Sequence, residues 1–296
     1  MITLLGSSTP ALVGVVFVLG LLVGSFLNVV IHRVPVMLER TWRREALAAS
    51  GSDPVPEDPP YDLIRPRSAC PACKAPITAL QNIPVVSWLV LKGRCASCRA
   101  PISARYPVVE ILTALLSGVV AWQFGFGWTT AAALVLTWFL IALAFIDMDT
   151  QLLPDSLTLP LLWMGLLVGL LLPQVDGARL PVDLRSAVIG AIAGYLSLWS
   201  VYQLFKLLTR KDGMGFGDFK LLAALGAWLG WQMLLPIIIA AAGVGAVVGI
   251  ASILLRRHKA GIPMAFGPYL AAAGWLMLVF GPQLVDSYLG LYSPGR

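Results

Sequence analysis

Charge is what this 296-residue chain has least of. Only 12% of its residues are Asp, Glu, Lys or Arg, about half the share of a soluble globular domain. With 58% hydrophobic residues, the composition is that of a membrane protein and not of a soluble enzyme. No cation precedes Arg33. The N-terminus therefore lacks a basic n-region, and the first apolar stretch reads as an anchor that stays, not as a cleaved signal peptide. The glycine-rich GMGFGDFK (213–220) lacks the G-K-[ST] ending of a phosphate loop and follows no strand. The middles of the apolar stretches are almost free of charge, and no inverted repeat of broken helices stands out. Both absences weigh against a transporter or channel relaying protons or cations through aspartates, the alternative reading for such a chain.

What is present is a series of apolar stretches near the length needed to cross a bilayer, roughly 20 residues. Eight are expected, at about 11–31, 107–124, 129–147, 156–173, 186–208, 219–235, 236–255 and 264–281, with Pro236 as the break between the sixth and seventh. The fold class is all-α and polytopic. With the N-terminus outside, the inner segments hold 11 basic residues from Arg33 to Arg105, 4 from Lys206 to Lys220, and Arg256, Arg257 and Lys259; these are 18 of the 21 Lys and Arg. The positive-inside rule makes that the orientation. The net charge of +6 is then largely this bias, with attraction to anionic lipid, and not a sign of nucleic-acid binding.

Residues 34–106 interrupt the pattern between the first helix (1–33) and the core (107–296). MLERTWRREALAA (37–49) has Leu38, Trp42 and Leu47 available for one face of a helix along the membrane, and SGSDPVPEDPPYD (50–62) reads as loop. All four cysteines follow, in CPACKAPI (70–77) and CASCRAPI (95–102). Two C-x-x-C knuckles place Cys70, Cys73, Cys95 and Cys98 as a tetrahedral ligand set for structural Zn²⁺, a zinc-ribbon-like insert in which the same turn is used twice. Disulfides do not suit the reducing compartment that the orientation implies.

The ionisable groups near membrane depth are few: Glu110, Asp147, Asp149, Asp155, Asp218, Lys220 and His32. The connections IDMDTQLLPDSL (146–157) and LTRKDGMGFGDF (208–219) fall on the same inner side, so their aspartates gather at one face. Two carboxylates within hydrogen-bonding distance share a proton and can hold a water between them, the arrangement of an aspartic peptidase. Asp147 and Asp149 point about 200° apart on a helix, so only one can face Asp218, and pattern does not say which. Gly213, Gly215 and Gly217 give a backbone room to approach or let the chain bend sharply. Asp155, after Pro154, reads as an N-cap of the fourth span, and Asp218 has a cap as its plainer reading. Lys220 either acts on Asp218 or snorkels to headgroups. Glu110 either pairs with Arg105 or Lys220 or contacts substrate. Ser25 and Asn28 read as helix-packing residues.

GSFLNVVIHRVP (24–35), the paired knuckles with NIPVVSWLVLKG between them, ISARYPVVE (102–110), IDMDTQLLPD (146–155), GMGFGDFK (213–220) and the C-terminal FGPYL (266–270) together resemble the type IV prepilin peptidases. That resemblance implies a multi-pass enzyme of the bacterial inner membrane whose catalytic pair is Asp147 and Asp218. It would cut the short basic leader from prepilins and the pseudopilins of type II secretion at the cytoplasmic face. It also implies N-methylation of the new terminus with S-adenosylmethionine. No glycine-rich turn after a strand offers a site for that donor, and the cysteine insert is where methyl transfer is expected. A scaffold whose aspartates only cap helices is the plainer alternative; it would tolerate Asn at 218.

Overall fold

The computed structural model describes residues 6, 8–50, 59–172, 180, 182–211, 213–255 and 265–292. The chain forms two compact units, Met1–Phe126 and Gly127–Arg296. Helices dominate both; in place of a sheet, two isolated β-bridges close the cysteine knuckles.

In the first unit, helix α1 (Thr9–Ala49) runs 41 residues without a break, about 61 Å and so about twice the hydrocarbon thickness. The segment 37–49, expected to continue as a helix, is helical and continuous with the preceding part of α1. Pro35 lies inside it. After a 3-10 turn at Leu80–Asn82 and the short α2 (Val86–Val90), helix α3 (Arg105–Phe124) returns against α1. Small residues bring the two backbones together, as lipid-embedded helices require when no water is there to drive association. A Cβ on Gly20 would stand 2.7 Å from Ala114 Cα, and one on Gly24 would stand 2.7 Å from Glu110 Cα. Asn28 secures the same contact, its Nδ2 donating to Tyr106 O at 3.1 Å and Gly24 O at 3.2 Å.

The buried Arg33 ties the loop before the cysteines to α1. Its guanidinium donates to Asp62 O (2.8 Å) and Pro66 O (2.6 Å), and it stacks with Arg40 on Tyr61, 5.6 and 4.3 Å from the ring centre. Asp62 organises this turn by accepting the Ile64 and Arg65 amides, both at 2.6 Å. The Arg65 amide, then that of Ile64, holds its carboxyl below the usual carboxylate range.

The second unit holds α4 (Trp128–Thr150), α5 (Asp155–Leu171), α6 (Leu184–Thr209), α7 (Phe216–Leu229), α8 (Leu234–Leu254) and α9 (Gly267–Tyr292). Among the described residues, a helix of 14 residues or more overlaps each of the eight expected stretches. Five helical segments among the described residues have the length and composition to cross a membrane: α1, α3, α4, α6 and Trp231–Ser252. The sixth stretch differs most from expectation. Helix α7 has 14 residues, about 21 Å, and is buried on every side from Asp218 to Leu229 apart from the half-buried Lys220. A helix apolar all round belongs in a core, and α7 is packed by α5, α6 and α9. Gly190 of α6 and Gly226 of α7 meet backbone to backbone, while Trp228 fills the notch at Gly165 and donates to the Leu161 carbonyl at 2.8 Å. The break after α7 is Gly230, with φ +81°, and not Pro236. Pro236 lies in the first turn of α8, where a missing N–H leaves no intrahelical bond unmade.

Candidate active site

Asp147 sits one turn before the end of α4, where Gln151 (φ +55°) turns the chain and returns its N–H to Asp147 O at 2.9 Å. Asp147 is buried, whereas Asp149, on the other side of the same helix, is exposed. Asp218 is the third residue of α7 and is also buried. It does not cap that helix: Gly215 holds the N-cap position, no side chain makes a capping bond, and the Asp218 amide reaches Gly215 O at 3.3 Å. Packing of Phe216 and Phe219 on Tyr202, with ring centres 5.5 and 5.7 Å away, fixes the start of α7. The two carboxylates lie within each other's electrostatic reach.

Two residues absent from the sequence-based candidates complete the surroundings. The Gly267 amide, at the start of α9, donates to Asp147 Oδ2 at 2.9 Å. Leu153, in the connection between α4 and α5, touches the Gly267 and Gly217 positions together. Gly267 lies in FGPYL, one of the stretches that carry the resemblance, but its residue-level signal is a glycine before Pro268 at the start of an apolar run, a helix-start pattern with no chemistry attached.

The three glycines leading to Asp218, the last of them inside α7, do not bend the chain through left-handed conformations, since none has a positive φ. They make room: a Cβ at 217 would stand 2.6 Å from Leu153 Cβ, and one at 213 would stand 2.6 Å from Phe205 Cδ1. Gly215 has ordinary space, with Asp218 Oδ2 at 3.9 Å. Asp155 is not an N-cap either. Pro154 occupies that position, and Asp155 takes a two-pronged ion pair from Lys220 Nζ, at 2.6 and 2.7 Å. Lys220 is thereby directed to Asp155.

In the first unit Glu110 is buried, and its Oε2 accepts the Val85 amide at 2.7 Å, with a further hydrogen bond from Ser25. Val85 has φ +59° and ψ −48° at the centre of a three-residue turn closed by Val86 N to Pro84 O at 2.5 Å. A β-branched residue rarely adopts this conformation, and the Glu110 bond helps to hold it.

The four cysteines are free thiols whose sulfurs all lie within 4.8 Å of one another. Cys70 and Cys98 Sγ are 3.8 Å apart, far beyond a disulfide and close to the spacing, about 3.8 Å, of two sulfurs bound tetrahedrally at Zn–S distances near 2.3 Å. The knuckles repeat atom for atom. Cys70 N and Cys95 N donate to Ala75 O and Ala100 O, and Lys74 and Arg99 take φ +60° and +59° at matching places. Amides of Cys98 and Ser97 draw the Cys95 thiol down to about 6, and those of Cys73 and Ala72 lower Cys70. Cys98 is pushed up to about 11 by Cys73, Cys95 and Cys70 against the pull of the Ala100 amide. Crowding of this kind calls for a cation that lets all four ionise, so the donor set fits a metal ion.

Against known proteins, residues 18–124 match the bacterial peptidase A24 N-terminal domain and residues 134–250 match the type IV leader peptidase family. Proteins named prepilin leader peptidase/N-methyltransferase are similar over nearly their whole length. The one from Aeromonas salmonicida is 60% identical, over 93% of this chain and 92% of its own. That from Pseudomonas aeruginosa is 53% identical, over 96% of each, and that from Neisseria gonorrhoeae is 52% identical, over 91% of each. The chain belongs to the type IV leader peptidase family. The transporter reading gains no support from these relatives. No solved structure matches.

Proposed function

We propose that the chain is a prepilin leader peptidase of the bacterial inner membrane, with its N-terminus outside and its chemistry at the cytoplasmic face. Its substrates are prepilins and pseudopilins, and it N-methylates the terminus that cleavage exposes. The observation carrying this reading is the pair of buried carboxylates, Asp147 and Asp218, from helices of one unit in a member of this family. Orientation rests on the 18 of 21 basic residues assigned to the inner segments; Arg256, Arg257 and Lys259 lie outside the described residues.

In the proposed reaction Asp147 and Asp218 share one proton and hold a water between them. The ionised carboxylate takes a proton from the water as its oxygen bonds to the scissile carbonyl carbon, and the protonated one gives its proton to the carbonyl oxygen. Collapse of the tetrahedral species breaks the C–N bond as the leaving nitrogen is protonated, and the dyad again holds one proton. Burial of both groups excludes bulk water and strengthens their electrostatic action on the developing charge. Asp155 and Lys220 form a pair joining α5 to α7, and Glu110 and Asp149 are assigned no step.

The insert takes Zn²⁺ at Cys70, Cys73, Cys95 and Cys98. With all four positions filled by protein, the ion holds the knuckles together and leaves no open position for catalysis.

S-adenosylmethionine is the methyl donor by analogy with the relatives' names, but two cavities tested against it do not suit it. One of 420 Å³ beside the second knuckle is lined by Lys92, Arg94 and Arg99, which repel a sulfonium. One of 520 Å³ at Asp183, Trp231 and Gln232 lies at the far end of α7 from Asp218. No methyl-transfer step is assigned to any residue.

The purified protein incubated in detergent with a prepilin and S-adenosylmethionine should release the leader and leave a methylated terminus, read by mass spectrometry. A folded, metal-loaded preparation that leaves the prepilin intact would overturn the assignment.

A further inference from the structure

Gly267, in FGPYL, and Leu153, in IDMDTQLLPD, lie about 114 residues apart in sequence and meet at the carboxylates although neither side chain carries a chemical group. The first amides of a helix have no intrahelical partner, and at α9 the Gly267 amide is directed onto Asp147 Oδ2, 2.9 Å away. A Cβ at 267 would stand 2.6 Å from that oxygen, 3.1 Å from Asp147 Cγ and 3.2 Å from Leu153 Cδ1. On the other side of Leu153, a Cβ at 217 would stand 2.6 Å from its Cβ and 3.3 Å from its Cδ1. Leu153 therefore fills the space between the residue that holds Asp147 and the residue that precedes Asp218. Neither glycine has a positive φ, so what both positions demand is space and not backbone freedom.

Resting on the reading of Asp147 and Asp218 as the catalytic pair, we propose that Gly267 and Leu153 are positioning residues of the peptidase site. The Gly267 amide fixes the rotation of the Asp147 carboxylate and commits Oδ2, so that Oδ1 is the oxygen not held by that bond. Leu153 is the spacer that sets how far Asp147 stands from Asp218. The start of α9 is thus part of the site, joined to it by a backbone group that no side-chain pattern reveals. Displacements near 1 Å in such an arrangement lower turnover by as much as about 10²-fold.

The test is steady-state prepilin cleavage in detergent by the full chain, with thermal unfolding recorded for each variant. Gly267→Ala should lower kcat about 10²-fold, and Leu153→Ala about 10-fold, with KM and unfolding temperature near native. Leu153→Met, which keeps the volume, should restore most of the rate. In the double variant Gly267→Ala/Leu153→Ala the trimmed side chain makes room for the new Cβ, and turnover should be no slower than in Gly267→Ala alone. Gly243→Ala, at a position with nothing within 4 Å, serves as the neutral reference. Native kcat in a folded Gly267→Ala protein would overturn the proposal. So would a loss that is only a smaller fraction of active molecules, each at native kcat. If Gly267→Ala does not fold, native kcat in Leu153→Ala overturns it. Asp147→Asn, measured alongside, separates the two levels: cleavage surviving in that variant refutes the dyad itself, whereas its loss beside an active Gly267→Ala refutes only the positioning.

Discussion

The cysteine cluster and the aspartate pair gather polar groups in opposite ways. The cluster is made locally: two eight-residue knuckles repeat one backbone turn, down to the left-handed Lys74 and Arg99, and each brings two ligands already paired. The aspartate site is made globally, from the end of α4, the start of α7, the connection carrying Leu153 and the first amide of α9, joined by a hydrogen bond spanning 120 residues. A site of the first kind serves to hold a small fold that has little core of its own. A site of the second kind exists only once its surrounding fold has formed, and removing its carboxylates should leave that fold standing.

Metal loss is the strongest way to break the contrast. Cys73→Ser or Cys95→Ser should abolish metal binding and unfold the insert, because structural zinc contributes folding free energy on the order of 10 kcal/mol. Metal analysis and limited proteolysis of residues 59–104 would show it; a metal-free insert as protease-resistant as the native one would contradict the structural role.

Glu110 sharpens the comparison at a smaller scale. Glu110→Ala leaves the half-buried Val85 amide without its acceptor and should destabilise the first unit by about 1 kcal/mol. Glu110→Gln keeps an acceptor oxygen and should recover most of that in thermal unfolding. Equal losses in the two variants would mean that the charge, and not the hydrogen bond to the strained turn, is what matters. Smallest of all is Lys220→Ala. Its ion pair with Asp155 has side chains 27% and 56% exposed, so stability should fall by no more than about 1 kcal/mol, and less at high salt.

The same contrast explains what could be read from the residues alone. The gathering of the four cysteines is legible because spacing within each knuckle carries it, and the helices because apolar length is a local property. Choosing between Asp147 and Asp149 was beyond pattern, since facing directions differ but nothing local says which faces inward; the fold buries Asp147 and exposes Asp149. Proline interrupts helices, so pattern puts the break at Pro236, yet in the first turn of α8 it interrupts nothing, and Gly230 ends α7 instead. Asp155 had the position of a cap and became an ion-pair partner, because Lys220 comes to it from a helix 65 residues away. Gly267 and Leu153 lie within quoted stretches, yet what they offer the site is a backbone amide and a volume, and residue type shows neither.

The central claim is that Asp147 and Asp218 together cut the peptide bond, and single-turnover cleavage of a prepilin by Asp147→Asn, Asp149→Asn and Asp218→Asn tests it most directly. Asn keeps the shape and the capping ability but can neither take nor give the proton. The 147 and 218 variants should lose at least about 10²-fold in rate while unfolding at or above the native temperature, with the 149 variant near native. Native rates in either the 147 or the 218 variant would contradict the claim, and loss confined to the 149 and 218 variants would move the first carboxylate two residues along α4.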